Sequence, residues 1–538
     1  MSGEAALPEY VQALLEPAAY PHAPTEVELR QTHISWVFLA GDLVYKTKKP
    51  VDFGFITQRD AETRERFCHA ELRLNRRLAP GVYLDVVPVV RMSDGRHAVE
   101  GDPSAGEVVE HAVKMRRLPD ERTLDRLLGG SEAPADLAER LARRLIAFHE
   151  SAAVVPNDPD FAGASAERAW WAREYGEASG FIGDTWLPED AAATRAFIED
   201  TLERDAALFD ERLAAGRVIE GHGDLRAAHV YLLGDESGGA DEAITIVDCI
   251  EFNEWFHFRY LDAGYDVAFL AMDLEALGHA DLGDELAGRY LAAAGDETLG
   301  VLQPLHRAYR AFVRGKVESI GARAPETPEE QARARAASAA RFFRLAASYA
   351  ERRAAPQLVA LSGLPASGKS TVAATLACRV GAAYLSSDVV RKQLAGIDPR
   401  ERVREEWRAG LYAPEMTDRT YAELRARAAR LLREGRAVVL DAMHGRREER
   451  DAVRALAAGH GVPATIAELR IDDASAHARI AGREDDPLRT SDATWGVYEA
   501  QRDGFEAITP DESPHLALDA TRPPAALARE IADALAGI

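Results

Sequence analysis

Residues 357–378 read QLVALSGLPASGKSTVAATLAC, and the fold of the chain is decided by how that stretch must be built. Leu358, Val359, Ala360 and Leu361 form an apolar run suited to a buried strand; a Gly/Pro/Ser cluster follows, and then an Ala- and Val-rich segment with helical spacing. Inside it, Gly363-Leu-Pro-Ala-Ser-Gly-Lys-Ser370 matches the phosphate-loop pattern. Glycines permit backbone angles that turn successive N–H groups inward, and a helix starting near Gly368 adds its positive end. A phosphate chain then finds donors with no large side chain in the way. Gly363, Ser367, Gly368, Lys369, Ser370 and Thr371 are the expected ATP-binding residues, with Lys369 on the outer phosphates and the Ser370 hydroxyl on Mg²⁺.

At 538 residues the chain is too long for one ordinary core, so two or three domains are expected. A hydrophobic share of 47% and a charged share of 29% describe a soluble globular protein. The formal charge of −24 opposes non-specific binding to nucleic acid or anionic membrane, and any anionic substrate has to be met by locally clustered Lys and Arg. Cys68, Cys249 and Cys378 are odd in number and far apart, which gives neither a disulfide framework nor a metal-ligand spacing and fits a reducing cytoplasm. The opening MSGEAALPEY has no leader character, and no apolar run reaches membrane-spanning length, so a cytoplasmic location is expected.

Upstream, Ile34, Trp36 and Phe38 alternate along one strand, Gly41-Asp42 turns, and Leu43-Val-Tyr-Lys46 forms a second strand that Lys46 closes. Residues 60–78 have helical spacing and carry Glu71. A strand lysine held by a helix glutamate is how protein-kinase-like folds grip the α- and β-phosphates of ATP, which makes Lys46 and Glu71 candidate ATP-binding residues. Two more strand-like runs, at 83–90 and 108–115, lead to a hinge at Met115-Arg-Arg-Leu-Pro119 and then to a strongly helical region. Within it Trp170, Trp171 and Tyr175 recur at helical spacing, the pattern of a core stripe. Later, VIEGHGDLRAAHVYLL (218–233) and ITIVDCIEFN (244–253) each deliver polar residues from a short apolar strand: His222, Asp224 and His229, and then Asp248. Two carboxylates at neighbouring strand ends suit phosphoryl transfer, one acting on an acceptor hydroxyl and the other holding Mg²⁺.

His222-Gly-Asp-Leu225 with Asp248 resembles the catalytic and metal-binding segments of the aminoglycoside phosphotransferase family, which is similar in fold to protein kinases and choline kinases. The resemblance covers roughly residues 28–320 and implies Asp224 as catalytic base, Asp248 as Mg²⁺ ligand, Lys46 as phosphate lysine and Glu71 as its partner. The chain departs from that family in two ways. His229 stands where the family has a metal-binding Asn, making an imidazole the counterpart of a hard oxygen ligand, and residues 31–35 replace a glycine-rich phosphate loop. Arg259, Asp262 and Asp266, ahead of the apolar run 267–272, read as scaffold.

Residues 322–356, rich in Ala, Arg and Glu, read as a capping helix leading to a boundary near 352–356. Beyond the phosphate loop, Ala382 to Leu385 forms a strand that ends at Ser386-Ser-Asp388, with Arg391 one helical turn on. That rim is where parallel sheets bind ligands, so Asp388 is a candidate acceptor base and Arg391 a candidate acceptor-binding residue; Ser387 and Asp388 are also good helix caps. Residues 401–434 carry helical spacing, and Ala437-Val-Val-Leu-Asp441 is a buried strand with a carboxylate at its end, a candidate Mg²⁺-site residue. Arg479 and Arg483, four apart, with Arg489 beyond, suit a lid that closes on phosphates. Together GLPASGKST, S-S-D-V-V-R and V-V-L-D-A resemble the P-loop kinases that include gluconate kinase, polynucleotide 5′-kinase and zeta-toxin-like AAA-type ATPases.

The expected architecture is therefore multidomain: an N-terminal bilobal α+β protein-kinase-like fold over 1–352, then a C-terminal α/β P-loop fold with a parallel sheet over 353–538. The expected activity is a bifunctional ATP-dependent kinase, each domain transferring the γ-phosphate to a hydroxyl of a sugar, aminoglycoside-like or nucleoside-like acceptor, with ATP and Mg²⁺ as cofactors. The alternative keeps only the P-loop domain catalytic and makes the N-terminal domain a nucleotide- or metabolite-sensing module.

Overall fold

The computed structural model describes residues 7–54, 56–130, 134, 136–233, 244–325, 327–399, 401, 403, 410–482 and 494–536. They form two compact units, one of Met1–Ala133, Ser151–Pro156 and Gly216–Asp262, the other of Pro134–Glu150, Asn157–Ala215 and Ala263–Ile538. The architecture is mixed α/β, with an antiparallel sheet in the first unit and a parallel one in the second.

In the first unit six strands, β1 (Val27–Gln31), β2 (Ser35–Ala40), β3 (Leu43–Lys48), β4 (Tyr83–Met92), β5 (His97–Val99) and β6 (Gly106–Arg116), lie in the order β1-β2-β3-β6-β4-β5 with antiparallel neighbours. The β2–β3 hairpin turns at Gly41, whose φ of 64° lies in the left-handed region that glycine adopts without a Cβ penalty. β3 runs two residues further than the sequence suggests, to Lys48, because the Ser35↔Lys48 pairing extends the ladder past Lys46. Since strand side chains alternate, Lys46 and Lys48 then share a face. One side of the sheet carries the buried Trp36, Phe38, Tyr45 and Val89; on the other, Leu39, Val44, Val113 and Met115 pack against Cys68 and Leu72 of the helix Ala61–Asn75. Asp60 caps that helix by accepting from the Thr63 N–H. The unit is completed by two short antiparallel pairs, β7 (Val218–Glu220) with β10 (Tyr260–Asp262) and β8 (Val230–Leu232) with β9 (Ile244–Ile246).

The second unit holds a fully parallel five-stranded sheet of β11 (Leu358–Ser362), β12 (Ala383–Ser386), β13 (Val438–Asp441), β14 (Ala464–Arg470) and β15 (His515–Asp519), ordered β12-β13-β11-β14-β15. All five residues of β11 are buried, as expected of a central strand covered on both faces. The helices Ala263–Ala276, Ala280–Ala294 and Leu299–Arg323 belong to this same unit. Trp171 is buried against Phe312, 5.0 Å between ring centroids, and Tyr175 sits edge-on to Trp186, so the aromatic stripe is core. The capping segment 322–356 holds one α-helix, Glu329–Ser348, which starts after Pro328 and runs into the short 3-10 turn Tyr349–Arg352. Among the described residues no helix is long and apolar enough to cross a membrane.

In the first unit Glu220 is held by Arg73, Arg77 and Arg259, with the Arg73 and Arg259 nitrogens at 2.8 Å. Burial alone raises a carboxyl's pKa, but these hydrogen-bonded guanidinium groups overcome it and bring Glu220 from 4.5 to about 2. The stabilisation is present above the unfolded value and is lost as pH falls from 4.5 toward about 2. We expect Glu220→Gln to cost about 3 kcal/mol at pH 7, and the gap between the denaturation midpoints of the two proteins to shrink as the acid protonates. A gap independent of pH over that range contradicts this assignment.

Candidate functional site

The first unit gathers a ladder of charges at one end of β3. Lys46 Nζ donates to Glu71 Oε1 at 2.8 Å and to Asp248 Oδ1 at 3.0 Å. Lys48, fully buried one step along the same strand face, bridges the other Glu71 oxygen and Glu251 through very short contacts. Lost hydration penalises each charge, yet the mutual attraction decides most of them: both ammonium groups are held above their ordinary range, and Asp248, its side chain half-exposed, is pulled well below the usual carboxylate range by Lys46 and then His229. Burial wins at Glu251, which is raised. Asp248 itself has φ 69°, a left-handed conformation costly for a residue with a Cβ, and its N–H donates to the Tyr83 hydroxyl at 3.2 Å. The neighbouring Cys249 N–H donates to Asn75, so the helix that carries Glu71 also clamps the loop that carries Asp248.

The loop after β7 is set by Gly223 (φ 86°), where a Cβ would collide with the Phe258 carbonyl. His222 is fully buried; its Nδ1 accepts from the Asp224 N–H at 3.3 Å, which leaves Nε2–H to donate to the Val247 carbonyl at 2.9 Å and ties the two loops together. Asp224 is gripped by Arg226, whose Nε lies 3.0 Å from Oδ1 and whose Nη2 lies 3.1 Å from Oδ2. His229 stands between the two carboxylates, 3.7 Å from Asp224 Oδ2 and 3.6 Å from Asp248 Oδ2. Its Nδ1 donates to the Asp224 carbonyl at 2.8 Å, and its Nε2 accepts from Arg226 at 2.9 Å. Sequence reasoning named Lys46, Glu71, Asp224, His229 and Asp248, which the structure brings together, and missed Lys48 and Arg226. The period of two along β3 was the available signal for Lys48.

In the second unit the phosphate loop follows β11. Gly363 (φ 146°), Ala366 (φ 62°) and Gly368 (φ 84°) all take positive φ, the alternation that turns backbone N–H groups into a concave anion-binding nest. At Gly363 a Cβ would lie 2.5 Å from the Leu469 carbonyl, so the loop seats against β14 only because glycine is there. The helix Lys369–Val380 begins directly after Gly368. Lys369 Nζ donates to the Leu364 carbonyl at 2.8 Å, and the Ser367 hydroxyl is buried without a hydrogen-bond partner.

A cavity of about 490 Å³ opens over this loop. On one side stand Asp441, at the end of β13, and Asp388 and Arg391, after β12. Tyr384 donates to Asp441 Oδ2 at 2.8 Å, and burial raises the Asp441 pKa against the opposing pull of Lys369 and a hydrogen bond from Ser370. In the helix Ser387–Leu394 the N-cap position falls on Ser386, with no side-chain capping hydrogen bond, so neither Ser387 nor Asp388 caps it; Asp388 instead accepts from Arg391 Nη1 at 2.9 Å, while Arg391 Nε is buried without a partner. On the other side Arg479 donates to the Ala366 carbonyl at 3.2 Å and to the Ala520 carbonyl at 2.7 Å, fixing the loop itself rather than forming a surface ion pair. Arg483 and Arg489 lie outside the described residues. The orphaned donors at Ser367 and Arg391, with Lys369, fit phosphate oxygens, and the hard oxygens of Ser370 and Asp441 fit Mg²⁺. Among the described residues no three His, Cys, Asp or Glu side chains cluster as a metal set.

Residues 358–508 match the AAA domain family. The chain is 32% identical over 435 residues to the uncharacterized protein Rv2004c of Mycobacterium tuberculosis (strain ATCC 25618 / H37Rv), covering 80% of this chain and 81% of that protein. The chain belongs to the same family as that protein. The uncharacterized protein Mb2027c of Mycobacterium bovis matches to the same extent. Among solved structures, a gluconokinase from Sinorhizobium meliloti 1021 is similar at 21% identity over 34% of this chain and 94% of its own, with a TM-score of 0.26. A choline/ethanolamine kinase family protein from Mesorhizobium loti is similar at 16% identity over 63% of this chain and 98% of its own, with a TM-score of 0.36.

Because Lys48 is the shared counter-charge of Glu71 and Glu251, Lys48→Met leaves two buried carboxylates short of a cation. We expect a loss of about 3–5 kcal/mol in chemical denaturation of the first unit. Double replacement by Lys48→Met and Glu251→Gln is expected to recover part of it, and a Lys48→Met protein as stable as the parent contradicts the pairing.

Proposed function

We propose that this chain is an ATP-dependent phosphotransferase acting on an alcohol group of a small molecule, with residues 353–538 as a P-loop kinase domain and residues 1–352 as a second, kinase-like domain resembling aminoglycoside phosphotransferases. One observation carries the reading. Within a single cavity, the phosphate loop with Lys369 faces the carboxylates Asp388 and Asp441 and the guanidinium of Arg391. The AAA domain match over the same residues supports nucleotide binding there.

The loop N–H groups and Lys369 hold the triphosphate, and Arg479 keeps the loop in shape through the Ala366 carbonyl. Ser370 and Asp441 would hold Mg²⁺, which when bound neutralises charge on the phosphate oxygens. Asp388 accepts the proton of the acceptor hydroxyl, and Arg391 orients its carboxylate through the 2.9 Å hydrogen bond while offering its remaining donors to an anionic group. The step joins the acceptor oxygen to the γ-phosphorus and breaks that atom's bond to the bridging oxygen, so ADP leaves and the proton rests first on Asp388.

In the first domain Lys46, braced by Glu71, supplies the phosphate cation, Asp248 the hard ligand and Asp224 the base, which makes the chain bifunctional. The sensing alternative is favoured by a specific observation. Arg226 occupies both Asp224 oxygens and also takes the His229 Nε2 lone pair, so that the proposed base and the imidazole beside it are engaged within the protein itself.

The test is phosphate transfer from ATP by the intact chain to panels of amino sugars, polyols, sugar acids and nucleosides. We expect Asp388→Asn to lower kcat about 10²-fold or more on one acceptor class with a small change in KM for ATP, and Lys369→Ala to abolish ATP use on that class. Full turnover by Asp388→Asn overturns the assignment. A second acceptor class lost in Asp224→Ala yet kept in Lys369→Ala supports two activities; its absence from every panel supports sensing.

A further inference from the structure

The parallel sheet divides the phosphate-loop cavity into two ends. β11 is central; β13 and β12, which deliver Asp441 and Asp388, lie to one side, and β14 and β15 lie to the other. With the triphosphate on the loop and the acceptor at the carboxylate end, the nucleoside has to extend toward the β14–β15 end. The cavity is walled partly by residues far upstream in sequence, Glu139 from the helix Leu137–Ser151 and Arg289, Ala292 and Ala293 from the helix Ala280–Ala294, and the latter helix packs against Pro524–Ala536, the helix that follows β15, with Arg529 Nη1 3.1 Å from Asp281 Oδ1. Pro524 and Leu527 of the helix Pro524–Ala536 line the same cavity.

We infer that these two upstream helices form the wall against which the nucleoside of the bound nucleotide rests, with Glu139 and Arg289 as its specificity-determining residues; the inference rests on the phosphate loop being an ATP site. The chemistry of the wall suits a nucleoside. Ala292, Ala293, Pro524 and Leu527 offer short aliphatic surfaces to a planar base, while Glu139 accepts hydrogen bonds and Arg289 donates them. The two polar groups are preorganised: Arg289 Nη1 lies 2.9 Å from Glu139 Oε2, Arg289 Nε lies 2.8 Å from Glu285, and Arg143 holds the other Glu139 oxygen at 2.9 Å. Each still keeps about a quarter of its side-chain surface open, 29% for Glu139 and 24% for Arg289.

The wall is also fixed to the loop. Asp284, buried on the Arg289 helix, pairs with Arg379 of the phosphate-loop helix at 2.5 Å and with Arg307 at 2.6 Å. At Gly288 a Cβ would lie 2.6 Å from the Thr375 backbone nitrogen, so the two helices touch at a point where only glycine allows it. Arg289, the next residue, therefore has a set position relative to Ser370 and Thr371.

The experiment titrates the intact chain with Mg–ATP and with Mg–tripolyphosphate, the phosphate-loop component being the one that Lys369→Ala removes. Arg289→Ala and Glu139→Gln are each expected to weaken ATP binding at that component about tenfold, with tripolyphosphate affinity unchanged within about twofold. The ratio of ATP to GTP affinity is expected to shift in both variants, and Arg289→Lys to recover part of the loss. Equal weakening of ATP and tripolyphosphate, or ATP affinity unaffected in both variants, overturns the inference while leaving the ATP site standing. An intact chain with no component sensitive to Lys369→Ala overturns the ATP site and the inference together.

Discussion

The constraint on which the phosphate-loop cavity depends is a backbone one. Residues 363–368 have to alternate into positive φ so that their N–H groups converge, and they have to do so while packed against β14. Glycine at 363 and 368 makes the turn inexpensive; Ala366, with φ 62°, carries real strain, and Arg479 holds that residue's carbonyl. The surrounding parallel sheet serves the loop by placing it centrally and delivering a carboxylate to the same rim from each of the next two strands. The converging amides and the carboxylates of Asp388 and Asp441 thus meet in one cavity without any side chain having to reach across the sheet.

The first unit solves a related problem by different means. Its phosphate-binding candidate is an ammonium, and an ammonium near the protein interior needs counter-charges that are themselves secured. Glu71 serves both Lys46 and Lys48, so neither lysine can shift without disturbing the other. The left-handed Asp248, pinned by Tyr83 and by its neighbour's bond to Asn75, completes that arrangement. The Arg226–Asp224 chelate sets this site apart from the phosphate-loop site, where the candidate base Asp388 has one arginine partner through a single nitrogen.

Local pattern made much of this readable. The strand, loop and helix at 358–380, the β2–β3 hairpin and the buried strand ending at Asp441 all follow from apolar runs punctuated by glycine, and the pairing of Lys46 with Glu71 follows from a strand lysine succeeded by a helix glutamate. What stayed hidden depended on register or on distance along the chain. Lys48 stays hidden when the strand is read as ending at Lys46, and a two-residue extension places both lysines on one face. Arg226 lies two residues past Asp224 in the same motif, and its chelation of that carboxylate is a side-chain conformation no spacing encodes. Glu139 and Arg289 reach the phosphate-loop cavity solely through tertiary packing at Gly288 and Asp284. Their own helices carry ordinary i,i+4 ion pairs that read as solvated surface.

The most direct test of the central claim is hydrogen exchange of the backbone amides in the intact chain, with and without a non-hydrolysable ATP analogue and Mg²⁺. The account predicts slowed exchange at residues 364–371, where the converging N–H groups acquire phosphate acceptors, and loss of that slowing in Lys369→Ala. Unchanged exchange across 364–371 under conditions in which the chain consumes ATP would contradict it.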